Sequence, residues 1–179
     1  MDKQEKKSQS DYLLSVVRSP KTGTVVAQFI SPASNPDIFY SPTSPAVCRW
    51  DENGRLIDSM WCNSKGEMHR DGDFPAEMRR CAETGKDVYL AYMSHNNYHR
   101  DNGKPAVICI HPDTDVVYME QYWIHGECSL VIERDPLSGS IIYSGSPRAD
   151  DLYVDVEDDS KFENTELPRV QKPKSPTMF

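Results

Sequence analysis

The chain lacks any apolar run close to the roughly 20 residues that a transmembrane helix requires. Its first ten residues carry charges but no apolar segment of the kind found in secretory signal peptides. These two absences argue against a membrane-spanning or secreted protein. The sequence therefore predicts a cytoplasmic protein, located in the host cytoplasm if its source is a virus, with no membrane partner.

The chain lacks a cysteine pattern typical of metal binding. The five cysteines are an odd number without a CxxC pair, so they cannot all pair within one chain, and their spacing does not fit the usual zinc motifs. Among the five histidines, only His95 and His99 lie four residues apart, and a predicted turn separates them. We expect the cysteines to be small, half-buried hydrophobic residues. The sequence predicts no metal site and no cofactor.

Apolar and basic residues are both in short supply. Apolar residues make up 37% of the 179-residue chain and the mean hydropathy is −0.66, which favours a thin, repetitive or partly disordered protein over a thick two-layer enzyme. Lys and Arg number 20 against 28 Asp and Glu, giving a net charge of −8. A general nucleic-acid binder usually needs an excess of basic residues, so no direct nucleic-acid contact is predicted.

The chain does contain a repeat with a period of 30 residues. Pro-Ala recurs at a fixed interval, since 75 − 45 and 105 − 75 both equal 30. His-Arg recurs at the same interval, as does the Asp that follows it. The markers are Pro45-Ala46, Pro75-Ala76, Pro105-Ala106, His69-Arg70-Asp71 and His99-Arg100-Asp101. Independent markers on one period indicate a repeat architecture.

Each repeat unit is predicted to contain two strands and two turns. Asn53-Gly54 lies between two β-rich segments, which is a strong signal for a hairpin turn. Proline at each unit start suits the first residue of a strand, where a missing N–H costs least. The predicted fold is all-β, an antiparallel meander that forms an open array of β-hairpins.

The hairpin repeat domain is predicted over residues 11–149. Its units lie near 45–74, 75–104 and 105–129, with degenerate end copies at 11–30 and 130–143. Disordered tails are predicted at 1–10 and 150–179, because their composition cannot bury enough apolar surface to offset the ordering entropy. The C-terminal tail is acidic first, with eight acids and one base in residues 150–166, and then rich in proline and basic residues.

These units resemble the MORN-variant repeats of bacterial, bacteriophage and large-virus proteins. The resemblance covers residues 45–128 and ends at Ser129-Leu130, which replaces His-Arg in the third copy. It implies a meandering antiparallel sheet extended by one hairpin per repeat, with protein–protein contacts, toxin–antitoxin partners in some members, and no single chemistry. The matching residues are Trp61, Gly66, His69, Arg70, Gly72, Pro75 and Ala76, then Tyr92, His99, Arg100, Asp101, Gly103, Pro105 and Ala106.

The doubled His-Arg-Asp sequence has two interpretations. In one, His69 and His99 are general bases oriented by the following aspartates, as in a His-dependent hydrolase. In the other, which we favour, His and Arg form a structural ladder in which Arg binds turn carbonyls. Repeated copies fit the ladder better, because an active site needs one constellation. The structural motif is His69, Arg70, Pro75, His99, Arg100 and Pro105, and no catalytic residue is predicted.

Two segments are candidates for binding a partner protein. Aromatic residues alternate along the predicted strands, so they either pack between hairpins or form an exposed binding face; the candidates are Tyr89, Tyr118, Tyr122 and Trp123. The acidic segment either solvates the chain or docks on a basic groove; its candidates are Asp150, Asp151, Asp155, Glu157, Asp158 and Asp159.

The sequence favours a non-enzymatic module that binds a partner protein through its repeat face. The alternative is an acidic inhibitor of phage or mobile-element type, anti-defence or antitoxin-like, that blocks a nucleic-acid enzyme through its tail. A His-dependent hydrolase is the minor alternative.

Overall fold

A computed structural model describes residues 11–152, which form one ten-stranded antiparallel sheet and a separate two-stranded ribbon. A single turn of 3-10 helix, Ala149–Leu152, follows the last strand. The strands are β1 (Tyr12–Arg18), β2 (Val25–Pro32), β3 (Val47–Trp50), β4 (Leu56–Met60), β5 (Glu77–Arg80), β6 (Asp87–Ala91), β7 (Met93–Ser94), β8 (Asn97–Tyr98), β9 (Val107–Ile110), β10 (Val117–Ile124), β11 (Glu127–Arg134) and β12 (Ile141–Gly145).

The ten strands follow one another in chain order, and each pairs antiparallel with its neighbours. The order is β1-β2-β3-β4-β5-β6-β9-β10-β11-β12, with β7 and β8 paired in the ribbon. The prediction of an all-β antiparallel meander is confirmed. The tails predicted at 1–10 and 150–179 lie outside the described residues, except that residues 150–152 belong to the 3-10 turn rather than to a disordered tail.

The first turn of each repeat unit differs in type from the two-residue turn that Asn53-Gly54 suggests. Gly54 has a φ of 79°, whereas Asn53 is not among the residues with positive φ. The amide of Asp51 donates to Arg55 O at 2.9 Å, and the strand register shifts between Arg49 and Trp50. A single left-handed glycine followed by a bulge is the geometry of a longer hairpin loop.

Two-residue turns occur instead at the second turn of the second and third units. His95 and Asn96 have φ values of 53° and 64°, and His125 and Gly126 have values of 49° and 84°. Positive φ at both central residues matches the twist of a tight hairpin. Histidine is one of the few side chains found repeatedly in this backbone region.

The sheet has one covered face and one open face. Side chains of directly paired residues share a face, and one row runs across all ten strands: Ser15, Phe29, Val47, Met60, Glu77, Ala91, Val107, Gln121, Val131 and Gly145. Eight consecutive members of this row, Phe29 to Val131, are buried. We call this side the covered face and the opposite side the open face.

The loops after each hairpin pack onto the covered face. Phe39 contacts Phe29 with ring centroids 5.1 Å apart, and Tyr98 of β8 contacts Trp123 at 5.3 Å. Near the C-terminal end, the carbonyl of Asp151 accepts a hydrogen bond from Gln121 Nε2 at 2.6 Å. The hydrophobic core therefore lies between the sheet and its own loops, which explains how a chain low in apolar residues folds.

The hairpin turns are also linked to one another along one end of the sheet. Ser19 and Thr22 both donate to the carboxylate of Glu52 at 2.8 Å. In the next units Lys86 binds Asp115 at 2.8 Å, and Thr114 donates to Pro136 O at 2.6 Å. These contacts join each hairpin turn to the turn of the next hairpin. Within residues 11–152 the structure has no helix that is long and apolar enough to cross a membrane.

Candidate interaction surface

The His-Arg loops repeat one arrangement around their arginines. The guanidinium of Arg70 lies 3.8 Å from the ring centroid of Trp61 and donates to Pro75 O at 3.2 Å. One unit later, Arg100 lies 3.5 Å from Tyr92 and donates to Pro105 O at 3.1 Å. Each arginine thus ties the end of a strand to the start of the next unit, by a cation–π contact and a hydrogen bond.

Successive loops are joined by an aspartate that the sequence analysis did not single out. Asp73 accepts a hydrogen bond from Arg100 Nε at 2.6 Å and also pairs with Lys104. These two hydrogen bonds, that of Arg100 first, lower the pKa of Asp73 to about 2. The residue is exposed, so the pair holds one loop against the next without a large contribution to stability.

Histidine rings of neighbouring units contact one another. His69 lies 4.5 Å from His95 with the rings tilted by 37°, and His99 stacks on His125 at 4.2 Å with the rings 8° from parallel. The partner in each pair is the positive-φ histidine of the next tight turn, 26 residues further along the chain (95 − 69 and 125 − 99). The sequence analysis missed these pairs, although the equal spacing could have revealed them.

The polar side chains beside these histidines are exposed to solvent. The carboxylate near His69 belongs to Asp71, whose side chain is 99% exposed, and Asp101 lies 3.4 Å from His99 with its side chain 76% exposed. Ser94 Oγ lies 3.0 Å from His95 Nδ1, but it is the preceding residue and is exposed. Residues 11–152 contain no group of three or more side chains able to hold a metal ion.

We expect replacement of His69 or His99 to lower the free energy of unfolding. His99→Ala removes a ring contact and the hydrogen bond from the amide of His125. The loss is expected to be about 0.5–1.5 kcal/mol in urea denaturation, with a comparable loss for His69→Ala. Lys65→Ala, which changes an exposed turn residue, is the control. A His69→Ala/His99→Ala protein of normal stability that has lost all biological activity would contradict the structural role.

Charged residues form a buried network on the covered face. Glu77 is 7% exposed and accepts a hydrogen bond from Arg79 Nε at 2.8 Å, while Arg49 pairs with Asp58 on the adjacent strands. Burial raises the pKa of Glu77, and Arg79 opposes this effect. Arg79 lies 5.0 Å from the ring centroid of Tyr89. The network carries paired charges into the core and is a structural element of the middle repeat.

Two of the four aromatic candidates are core residues. Tyr89 and Trp123 are each 3% exposed; Tyr89 Oη lies 3.2 Å from Tyr98 Oη, and Trp123 Nε1 donates to Gln121 Oε1 at 2.9 Å. The expectation that they present an exposed binding face is therefore corrected. Their strands alternate as predicted, but the His-Arg loops fold over the side on which these rings lie.

The other two aromatic candidates are half-buried and differ in surroundings. Tyr118 packs against the core beside Cys109, and burial raises its pKa to about 12. Tyr122 lies opposite Leu130, between the buried residues Gln121 and Trp123. Alternation along β10 therefore places Tyr122 on the open face. Of the four candidates, Tyr122 is the one whose position suits contact with a partner.

The open face carries a second row that also crosses all ten strands. The row consists of Val16, Gln28, Cys48, Ser59, Met78, Leu90, Ile108, Glu120, Ile132 and Ser144. Its small members Cys48 and Ser59 are buried, while the others keep part of their surface exposed. Met78, Leu90 and Ile108 are adjacent, so the centre of the open face is apolar.

The acidic candidates are mostly outside the described part of the chain. Asp155, Glu157, Asp158 and Asp159 lie beyond residue 152, and nothing is described of the side chain of Asp150. Asp151 is 5% exposed and binds Arg148 through its carboxylate at 2.7 Å. The expectation that Asp151 is a free docking charge is corrected, because this side chain is already paired within the fold.

A shallow depression of about 660 Å³ lies near the start of β1. Its lining contains Asp11 but no histidine, cysteine or lysine, so it does not combine a nucleophile with a strong base. It is lined by Asp11, Tyr12, Pro32, Ala33, Ser34, Tyr40 and Ser64.

Comparison of the chain with protein-family models, curated proteins and solved structures finds no match.

Proposed function

We propose that this protein is a non-enzymatic binding module that contacts a partner protein through its open face. The observation that supports this proposal is the asymmetry of the sheet: loops cover one face, and the other carries the apolar centre Met78, Leu90 and Ile108. An apolar sheet surface that retains exposure is typical of interaction sites. Tyr122 lies on the same face and supplies an aromatic side chain of the kind enriched in binding hot spots.

The arrangement of the histidines agrees with this proposal. His69 contacts His95, and one unit later His99 contacts His125, so the repeated pairs join the loops of successive units. An acidic inhibitor that acts through its C-terminal tail remains the alternative. Of the acidic candidates whose side chains are described, Asp151 is already paired with Arg148 within the fold. The resemblance to MORN-variant repeats also suggests protein contacts.

A capture experiment with matched variants tests the proposal. Wild-type protein, Ile108→Glu and Thr84→Glu are used as baits in a lysate of the source cells. Thr84 is exposed in a turn, so its variant adds the same charge away from the open face. We expect a retained protein to bind wild type and Thr84→Glu and to be lost with Ile108→Glu, with circular dichroism showing that all three baits are folded.

Affinity measurements with the identified partner then separate the two binding modes. For an apolar face, Tyr122→Ala is expected to raise the dissociation rate, and the affinity changes little between low and physiological salt. For an acidic tail, deletion of residues 153–179 abolishes binding, and the affinity falls steeply with salt. The second pattern, with Tyr122→Ala silent, would overturn the proposal.

A further inference from the structure

The two terminal strands leave both edges of the sheet unpaired within residues 11–152. β1 is bonded only to β2, and β12 is bonded only to β11. The described residues after β12, 146–152, do not pair with its outer edge: Arg148 binds Glu133 of β11, and the carbonyl of Asp151 accepts a hydrogen bond from Gln121 of β10. An unpaired edge presents backbone N–H and C=O groups to any other strand.

The middle of each edge strand carries none of the side chains that usually block edge pairing. β1 reads YLLSVVR and β12 reads IIYSG, so neither contains lysine, proline or an acidic residue. Leu14 is 64% exposed and Ile142 is 67% exposed. Charged side chains and bulges also protect edges, but here Arg18 and the two bulges lie at the turn ends of the hairpins, so the rest of each edge strand is open to pairing.

The outward backbone groups of β1 can be assigned from the strand register. The amide of Ile30 donates to Ala46 O on the β3 side, so Phe29, its neighbour in β2, points its N–H towards β1. Phe29 is paired with Ser15, whose N–H therefore points towards β2. By alternation, Leu14 and Val16 point their N–H groups away from the sheet.

The outward backbone groups of β12 can be assigned because the last hairpin resembles the first. The β1–β2 and β11–β12 hairpins bulge at equivalent places, next to Arg18 and next to Arg134. The pair Tyr143–Glu133 lies next to its bulge, as the pair Ala27–Val17 does in the first hairpin. In the first hairpin these two residues point their N–H groups towards each other, so the N–H of Tyr143 points towards β11. Ser144, which is exposed, then points its N–H outward from the opposite edge.

We propose that β12 of one copy pairs antiparallel with β1 of a second copy, extending the sheet from one molecule to the next. In a ten-stranded meander the first and last strands run in opposite directions. A second copy placed beside the first in the same orientation therefore brings its β1 antiparallel to β12 of the first copy. The junction would resemble that between β2 and β3, where Gln28 is paired with Cys48. Val16 of one copy lies opposite Ser144 of the other, and their outward N–H groups bond each other's carbonyls.

This contact uses two different surfaces and does not close on itself. Such head-to-tail association produces dimers at low concentration and longer assemblies at higher concentration. It continues the open-face row, because Val16 and Ser144 are the two end members of that row. It does not depend on the partner-binding proposal, and either can fail alone.

Proline variants of the two edges test the contact by complementation. Val16→Pro and Ser144→Pro each remove one outward N–H and keep the bonds to the neighbouring strand. In sedimentation velocity, wild type is expected to associate in a concentration-dependent manner, whereas each proline variant alone stays monomeric. An equimolar mixture is expected to form a 1:1 dimer, since each variant retains the edge that the other has lost. Val16→Thr and Ser144→Thr are the controls that should still associate.

A charge-based pair of variants protects the test against misfolding of the proline variants. Val16→Lys/Ser144→Lys and Val16→Glu/Ser144→Glu are each expected to be monomeric, and their mixture is expected to associate because opposite charges face each other. The proposal would be overturned by a wild type that is monomeric at all concentrations, or by pairing of an edge with a tail of the same chain. A dimer formed by Ser144→Pro alone would also contradict it, because that result indicates β1–β1 pairing. Folded variants whose mixtures remain monomeric would contradict it as well.

Discussion

Replacing Trp123 by alanine is expected to lower the free energy of unfolding by about 3–5 kcal/mol, the range for deleting a fully buried aromatic side chain. Trp123 is 3% exposed and packs against the ring of Tyr98. Its loss also removes the donor bound to Gln121 Oε1, which leaves a buried acceptor without that partner. Urea denaturation measures the change, with a parallel decrease in Tm.

The neighbouring Tyr122 provides a matched control for the tryptophan. It is half-buried and lies on the open face, so Tyr122→Ala is expected to cost only about 1 kcal/mol, a typical value for a point substitution. The contrast distinguishes a core residue from a binding residue. A stable Trp123→Ala protein that nevertheless loses partner binding would show that the placement of Trp123 under the loops is wrong.

Replacing Arg79 by methionine is expected to cost about 3 kcal/mol at pH 7, near the lower end of the range for breaking a buried ion pair. The lower end applies because the side chain of Arg79 is 33% exposed, whereas that of Glu77 is 9% exposed. The variant leaves the carboxylate of Glu77 in the core without its neighbouring cation. Asp58 adds a repulsive charge, and Arg49 compensates in part.

The cost of this substitution should depend on pH in a defined direction. Burial raises the pKa of Glu77 in the folded state, and removal of Arg79 is expected to raise that pKa further. A raised carboxyl pKa means that protonation of this group favours the folded state, so its contribution is present at low pH and is lost as pH rises through the folded pKa. The stability difference from wild type should therefore shrink on acidification.

A double variant completes the test of the ion pair. Glu77→Gln/Arg79→Met removes both charges, and it is expected to recover much of the stability lost in Arg79→Met, with little of the pH dependence. Chemical denaturation of wild type, Glu77→Gln, Arg79→Met and the double variant between acidic and neutral pH measures the cycle. Equal losses in Arg79→Met and the double variant at pH 7 would show that Arg79 acts by packing alone.

The sequence by itself determined the meander and its period. Pro-Ala and His-Arg recur every 30 residues because each unit forms the same hairpin and loop, and turn geometry depends on the residues within the turn. The prediction of strands around Gly54 was correct even though its turn type differs. The segments predicted as degenerate end copies, 11–30 and 130–143, lie in two hairpins with equivalent bulges.

Only the tertiary structure decided which face of the sheet is buried. Strand alternation shows that Tyr89 and Leu90 lie on opposite faces, but it does not show which face the loops will cover. The loops fold onto the side of Tyr89 and Trp123, so these rings become core and Leu90 stays on the open face. The stacking of His99 on His125 has the same origin, since a contact between successive units depends on how hairpins twist against one another, and no single unit contains that information.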